Sequence, residues 1–129
     1  MDFLVKLLVA GGVMGVLDAF WLSVVANKFY KANIGPLLLE KPNMTAAIIF
    51  YVIYVIGVVV FAISPAENWK HAVGLGALFG FVAYATYDLT NLATLKGFPT
   101  KVVVVDMIWG TLLTATVAGV AYWLINRSW

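Results

Sequence analysis

Four runs of sequence, residues 3–26, 44–63, 72–95 and 102–125, are almost free of charge and each is long enough to cross a bilayer as a helix. A spanning helix needs about 20 apolar residues, because the hydrocarbon core is ~30 Å thick and each helical residue rises ~1.5 Å. The chain therefore reads as all-α, an integral membrane four-helix bundle forming one unit over residues 1–129. A charged fraction of only 11% against 64% hydrophobic residues, with a mean hydropathy of +0.99, excludes a soluble domain, in which about 25% of residues would be charged. The connections are too short for an extramembrane domain.

The first run is interrupted by Lys6 near its start and by Asp18 deeper in. Val24-Val25-Ala26 could pass as a signal-peptide cleavage site, but the run is too long and carries an internal aspartate, so it is expected to remain as the first span. Gly11 and Gly15 share a face with Asp18 and make it the packing face. Residues 27–43, NKFYKANIGPLLLEKPN, mix lysines, Phe29, Tyr30, a Gly35-Pro36 breaker and the apolar Leu37 to Leu39. This stretch reads as an interfacial connection along the membrane surface. Ser64-Pro65 ends the second run, a polar AENWKH loop leads to the third, and residues 96–101, KGFPTK, form a tight turn. That turn makes the last two spans antiparallel neighbours. Tyr122, Trp123 and Trp129 read as an aromatic belt.

The stretch YATYDLTNLATLKGFP, from Tyr84 to Pro99, is where polar groups break the hydrophobic pattern. At ~100° per residue, Tyr84, Tyr87, Asp88, Asn91 and Thr94 fall on one side of a helix, and Gly76 and Gly80 continue that side toward its start. Small residues there let a neighbouring helix approach closely, so the stripe is expected to face protein. With alternating helix directions, Asp18, Asp88 and Asp106 lie roughly 12, 10 and 6 Å from one membrane face at ~1.5 Å per residue. Tyr51 and Tyr54 fall in the same half, and Gly110 lies one turn from Asp106 as a packing residue. A polar pocket of Asp18, Asp88, Asn91, Asp106, Tyr84, Tyr87, Thr94, Tyr51, Tyr54, Trp21 and Trp109 is the expected site. Each intramembrane aspartate costs about 2.5–3.5 kcal/mol on the insertion scale, so something must offset three of them. Hydrogen bonds, water, lysines reaching in, or a shared proton would serve. The bland alternative is helix glue, since polar cross-helix bonds are common and worth about 1 kcal/mol each. Asp18-x-x-Trp21 and Asp106-x-x-Trp109 share a spacing, which is a weak sign of duplication.

Several classes of chemistry are not signalled. No cysteine is present, which removes disulfides and thiolate ligands. His71 is the single histidine and lacks partners at metal-ligand spacing, so no metal and no cofactor are expected. The net charge of +2 comes from lysines at the ends of apolar runs, a membrane-surface pattern that implies no nucleic acid. Lys28, Lys31, Lys41, Lys96 and Lys101 stand against Lys6, Lys70 and Arg127, five against three, which favours cytoplasmic 27–43 and 96–101.

LDAFWL, the FY and IGPLL of the first connection, FYVIYVIG, YDLTNLATLKGFP and VDMIWG together resemble a family of small bacterial predicted membrane proteins of unknown function. The resemblance covers nearly the whole chain and implies four spans in the bacterial inner membrane, but no activity. Phe98 departs from the tryptophan expected there, keeping the aromatic and losing an N–H donor. Three functions compete. The first is proton- or cation-linked binding or transport of a small molecule, for which so small a bundle would form a homo-oligomer. The second is a membrane-embedded enzyme acting on a lipid or isoprenoid, with Asp88 or Asp106 as acid or base. The third is an accessory subunit of a membrane complex. In every case the lipid bilayer is the first partner.

Overall fold

The computed structural model describes residues 3–34 and 43–126. Gly35-Pro36, Leu37 to Leu39, Lys41, Arg127 and Trp129 lie outside the described residues. Among those described, all regular structure is helical: α1 (Phe3–Trp21), a π-helical turn (Leu22–Ala26), α2 (Asn27–Ile34), α3 (Met44–Val58) with a second π-helical turn (Val59–Ile63), α4 (Trp69–Thr94) and α5 (Thr100–Asn126). Four segments, Phe3–Val25, Met44–Ile63, Trp69–Thr94 and Thr100–Asn126, are long and apolar enough to cross a membrane.

Helix ends follow local chemistry. Asn43 caps α3 by accepting from the Ala46 N–H at 3.1 Å, and Asn68 caps α4 by accepting from the His71 N–H at 2.8 Å. These caps satisfy N–H groups that the first turn leaves unpaired. The Asn68 cap starts α4 at Trp69, inside the stretch read from sequence as a polar loop. The α4–α5 turn uses Gly97 at φ +76, a left-handed conformation that glycine adopts without a Cβ clash. Residues 27–34, expected as an interfacial connection, are helical as α2. Nothing in NKFYKANI breaks a helix before Gly35-Pro36, and a π turn carries the chain straight from α1 into it.

α5 sits at the centre, with Leu113, Val117, Ala118, Ala121 and Ile125 buried against Ala10 and Met14 of α1, Val55 and Val58 of α3, Ala62 and Ile63 of its π turn, and Ala72 of α4. This apolar core occupies the half of the bundle where α1 and α4 begin and α3 and α5 end. In the other half, Phe29, Tyr30 and Ile34 of α2 pack on Phe98, Val102, Val103 and Met107. A bond from Lys6 Nζ to Ser64 Oγ, 3.1 Å, links the start of α1 to the end of the second span, as antiparallel neighbours require.

α4 and α5 form the closest pair. Gly76, Gly80 and Tyr84 of α4 face Ala118, Thr114 and Gly110 of α5 in antiparallel register. A Cβ at Gly76 would stand 2.6 Å from the Thr114 carbonyl oxygen and 2.7 Å from Ala118 Cβ, and one at Gly80 would stand 2.6 Å from Thr114 Oγ1. Gly110 in turn takes the Tyr84 ring where a side chain would otherwise be. Glycine is therefore required here by space, and the two backbones come together as small residues permit in lipid. Gly15 and Gly11 line the α1–α3 contact more loosely, with the nearest atoms to a built Cβ at 3.1 Å (Tyr51 hydroxyl) and 3.8 Å (Val55 Cγ1).

Candidate functional site

The tight seam between α4 and α5 runs in steps of one helical turn, Gly76, Gly80, Tyr84 and Asp88 on one side and Ala118, Thr114, Gly110 and Asp106 on the other. Its last step puts two carboxylates in each other's field. Asp88 is 0% exposed, and neither of its oxygens has a hydrogen-bond donor among the described residues. Such a group keeps the desolvation cost of burial without the usual compensation. Nor is any of Asp18, Asp88 or Asp106 in an ion pair among the described residues.

Asp106 has a partner that comes from α2. The Tyr30 hydroxyl donates to Asp106 Oδ1 at 2.5 Å. Burial, and then the adjoining Asp106 acceptor, push the Tyr30 phenol well above its ordinary pKa, so this hydroxyl stays a donor. The Trp21 indole lies beside the Tyr30 hydroxyl. Asp18 has the indole of Trp109 beside it, from the opposite helix. Trp21 and Trp109 stack with ring centroids 4.3 Å apart. The two D-x-x-W segments thus cross over: the tryptophan of α5 lies beside the acid of α1, and that of α1 lies beside the Tyr30 that donates to the acid of α5.

The other residues singled out by sequence divide into those near the acids and those turned elsewhere. Tyr84 lies within electrostatic reach of Asp18, Asp106 and Asp88. Tyr87 is beside Asp106 and Asp88, with Asn91 one turn on. Tyr54 is buried and shares a 2.6 Å hydrogen bond with Thr114. Tyr51 instead donates to the Gly11 carbonyl and ties α3 to α1. Thr94 departs from the expected stripe: it is exposed, and its hydroxyl donates to the Thr90 carbonyl at 2.7 Å. Threonine commonly bonds back to its own helix in this way, since that satisfies the hydroxyl without a neighbour. His71 is exposed and accepts the Glu67 N–H through Nδ1.

Tyr30 and Thr114 were not singled out from sequence. Tyr30 lay in a stretch read as surface connection, and only the continuation of helix past the first span brings it over Asp106. Thr114 stands one turn after Gly110 on the same face, a spacing that could have marked it as part of the seam.

A cavity of about 310 Å³ adjoins the acids, lined by Phe50, Tyr54, Ala83, Tyr84, Tyr87 and Asp106. It lies between α3, α4 and α5. α4 meets the second span chiefly at the Val59–Ile63 turn, and the helices separate toward the acid half.

A family model described as "Predicted membrane protein (DUF2177)" matches residues 3–123. No curated protein and no solved structure matches the chain.

Proposed function

The chain belongs to the DUF2177 family of predicted membrane proteins, and we propose that it binds a proton or a cation at the Asp88–Asp106 pair and couples this to binding or transport of a small molecule. The observation that carries the reading is Asp88, fully buried, with both oxygens lacking a donor and a second carboxylate facing it. Two ionised acids cannot satisfy one another, because a carboxylate only accepts. One proton shared between them, or a cation against them, supplies what is missing. A merely structural hydrogen-bonding role needs a donor at Asp88, and none is there among the described residues.

Among the described residues, the groups around this pair are Tyr30 from α2, Tyr54 from α3, and Tyr84 and Tyr87 from α4, none of them a lysine. Exchange of one proton for one monovalent cation leaves the charge of the site unchanged. Five lysines in residues 27–43 and 96–101 support a cytoplasmic position for this end of the bundle in a bacterial inner membrane.

Proteoliposomes containing a pH dye test the reading. A quaternary ammonium ion carries no proton of its own, so a change of internal pH when one is added outside reports on the protein. The wild-type chain is expected to release internal protons in exchange for the cation, and Asp88→Asn to release none. An equal response from both, or none from wild type beyond protein-free vesicles, contradicts it.

A further inference from the structure

The cavity beside the acid pair has the make-up of a receptor for one chemical class. Four of its six described lining residues, Phe50, Tyr54, Tyr84 and Tyr87, are aromatic, and of the described ones Asp106 alone carries charge. The Phe50 and Tyr54 rings lie 5.4 Å apart, and Tyr54 meets Tyr84 edge-on at 6.2 Å. Ring faces are negative through their quadrupole, and a group of them around a carboxylate attracts an organic cation that has shed its water. An anion would be repelled, and a neutral hydrocarbon would fill the space while leaving Asp106 without a counter-charge. The volume of about 310 Å³ falls at the small end of ligand sites.

Access is from the side. Phe50 and Tyr87 are 54% and 56% exposed on the outer surface of α3 and α4. The neighbouring residues Ile49, Ile53 and Leu89 are exposed and apolar as well. The mouth therefore opens between two lipid-facing helices and not along the bundle axis.

We propose that the cleft between α3 and α4 takes up a lipophilic organic cation from the bilayer, an ammonium bearing apolar groups, with the rings of Phe50, Tyr54, Tyr84 and Tyr87 around its charge and Asp106 as counter-ion. This rests on the reading of Asp88 and Asp106 as a proton or cation site and names the ligand class of that site. Asp88, one seam step behind the cleft, then holds the proton that the cation replaces.

The test uses the full chain in dodecyl maltoside micelles with two probes of one shape, benzyltrimethylammonium and its neutral carbon isostere neopentylbenzene. Binding is followed by tryptophan emission, since Trp109 lies one turn from Asp106, with protein-free micelles subtracted. Wild type is expected to bind the cation about tenfold or more tightly than the isostere. Tyr87→Leu, at an exposed position that leaves the core intact, and Asp106→Asn, which still accepts from Tyr30, are each expected to weaken the cation about tenfold and leave the isostere unchanged. Equal affinity for both probes, or preference for the isostere, identifies a groove for acyl chains and overturns the assignment. The infrared carboxylic acid C=O band of the same protein before any probe is added separates the two claims. If the band is present and depends on Asp88 while the probes bind alike, the cleft assignment fails and the acid-pair reading stands. If the cation is preferred and the band is absent, the cleft assignment holds and the acid-pair reading fails.

Discussion

Trp21 and Trp109 lie face to face across the α1–α5 contact, 4.3 Å between centroids and 8° from parallel, each three residues after an aspartate. The stack joins α1 to α5 in the acid half of the bundle, with Trp109 packed against the edge of the apolar core. Offset stacking of aromatic rings contributes about 0.5–1.5 kcal/mol beyond burial, and taking the Trp109 indole away from a half-buried carboxyl costs about 1–3 kcal/mol. Stacked indoles also couple their transitions. A paired-sign exciton signal in the circular dichroism spectrum is expected from wild type and should vanish in both Trp21→Phe and Trp109→Phe. Of the two, Trp109→Phe should lower unfolding stability more, by about 1–3 kcal/mol, since only it takes an indole N–H from beside Asp18.

The α4–α5 seam predicts where an added methyl group is tolerated. Gly80→Ala and Gly76→Ala force atoms to within 2.6 Å of Thr114, on a backbone that cannot move away without opening the seam. Overpacking of this kind costs about 1–3 kcal/mol. Gly74, on the same helix, has nothing within 4 Å of a built Cβ. Gly74→Ala is expected to be neutral or slightly stabilising, because alanine is the better helix former. Denaturation midpoints in detergent for the three variants check the contrast, and equal destabilisation by all three would mean that helix propensity and not the seam controls them.

Tyr30 fastens α2 to α5. Tyr30→Phe keeps the ring in the cluster with Phe98 and Val102 and removes only the donor to Asp106, an expected loss of about 1.5–3 kcal/mol for a bond to a charged acceptor. The folded-state pKa of Tyr30 lies above the ordinary value of 10.0. Its contribution is therefore complete below about pH 10 and is lost as the pH rises beyond that, through the folded value. The stability difference between wild type and Tyr30→Phe should stay constant from neutral pH to about pH 9 and shrink above about pH 10.

Asp88→Asn should separate stability from function. The amide brings a donor toward Asp106 and removes one of two facing carboxylates, so the variant is expected to be as stable as wild type or more so. Removing a buried unpaired acid from an apolar site can recover part of the about 2.5–3.5 kcal/mol that its insertion costs. Ligand-linked proton exchange should be lost. A marked drop in stability would mean that Asp88 takes a structural hydrogen bond after all.

The four-helix membrane architecture was legible because hydrocarbon leaves few options: runs such as 44–63 can only be spanning helices. What periodicity could not supply was rotation and continuation. The side of α4 carrying Gly76, Gly80 and Asp88 was readable from spacing at one turn, but that the seam would end on Asp106 depended on the register of α5, which Gly110 and Thr114 set by contact. Tyr30 was hidden by composition, since lysines on both sides made its segment look like a surface connection. Thr94 was drawn into the stripe by its angle alone, although a threonine can satisfy itself on its own helix. The D-x-x-W spacing looked like a faint repeat. Its physical content, the crossing of the two indoles between α1 and α5, requires knowing that Trp21 and Trp109 stack.

The most direct test of the account is whether Asp88 and Asp106 hold a proton between them. Infrared difference spectroscopy of the reconstituted protein, titrated across neutral pH in the absence of any ligand, observes the C=O stretch of a protonated carboxyl group inside the protein. A band is expected that persists at neutral pH, shifts in D₂O, and disappears in Asp88→Asn while remaining in Glu67→Gln. A spectrum without such a band, or a band that survives Asp88→Asn unchanged, would contradict the shared proton and with it the proton-linked reading of the site.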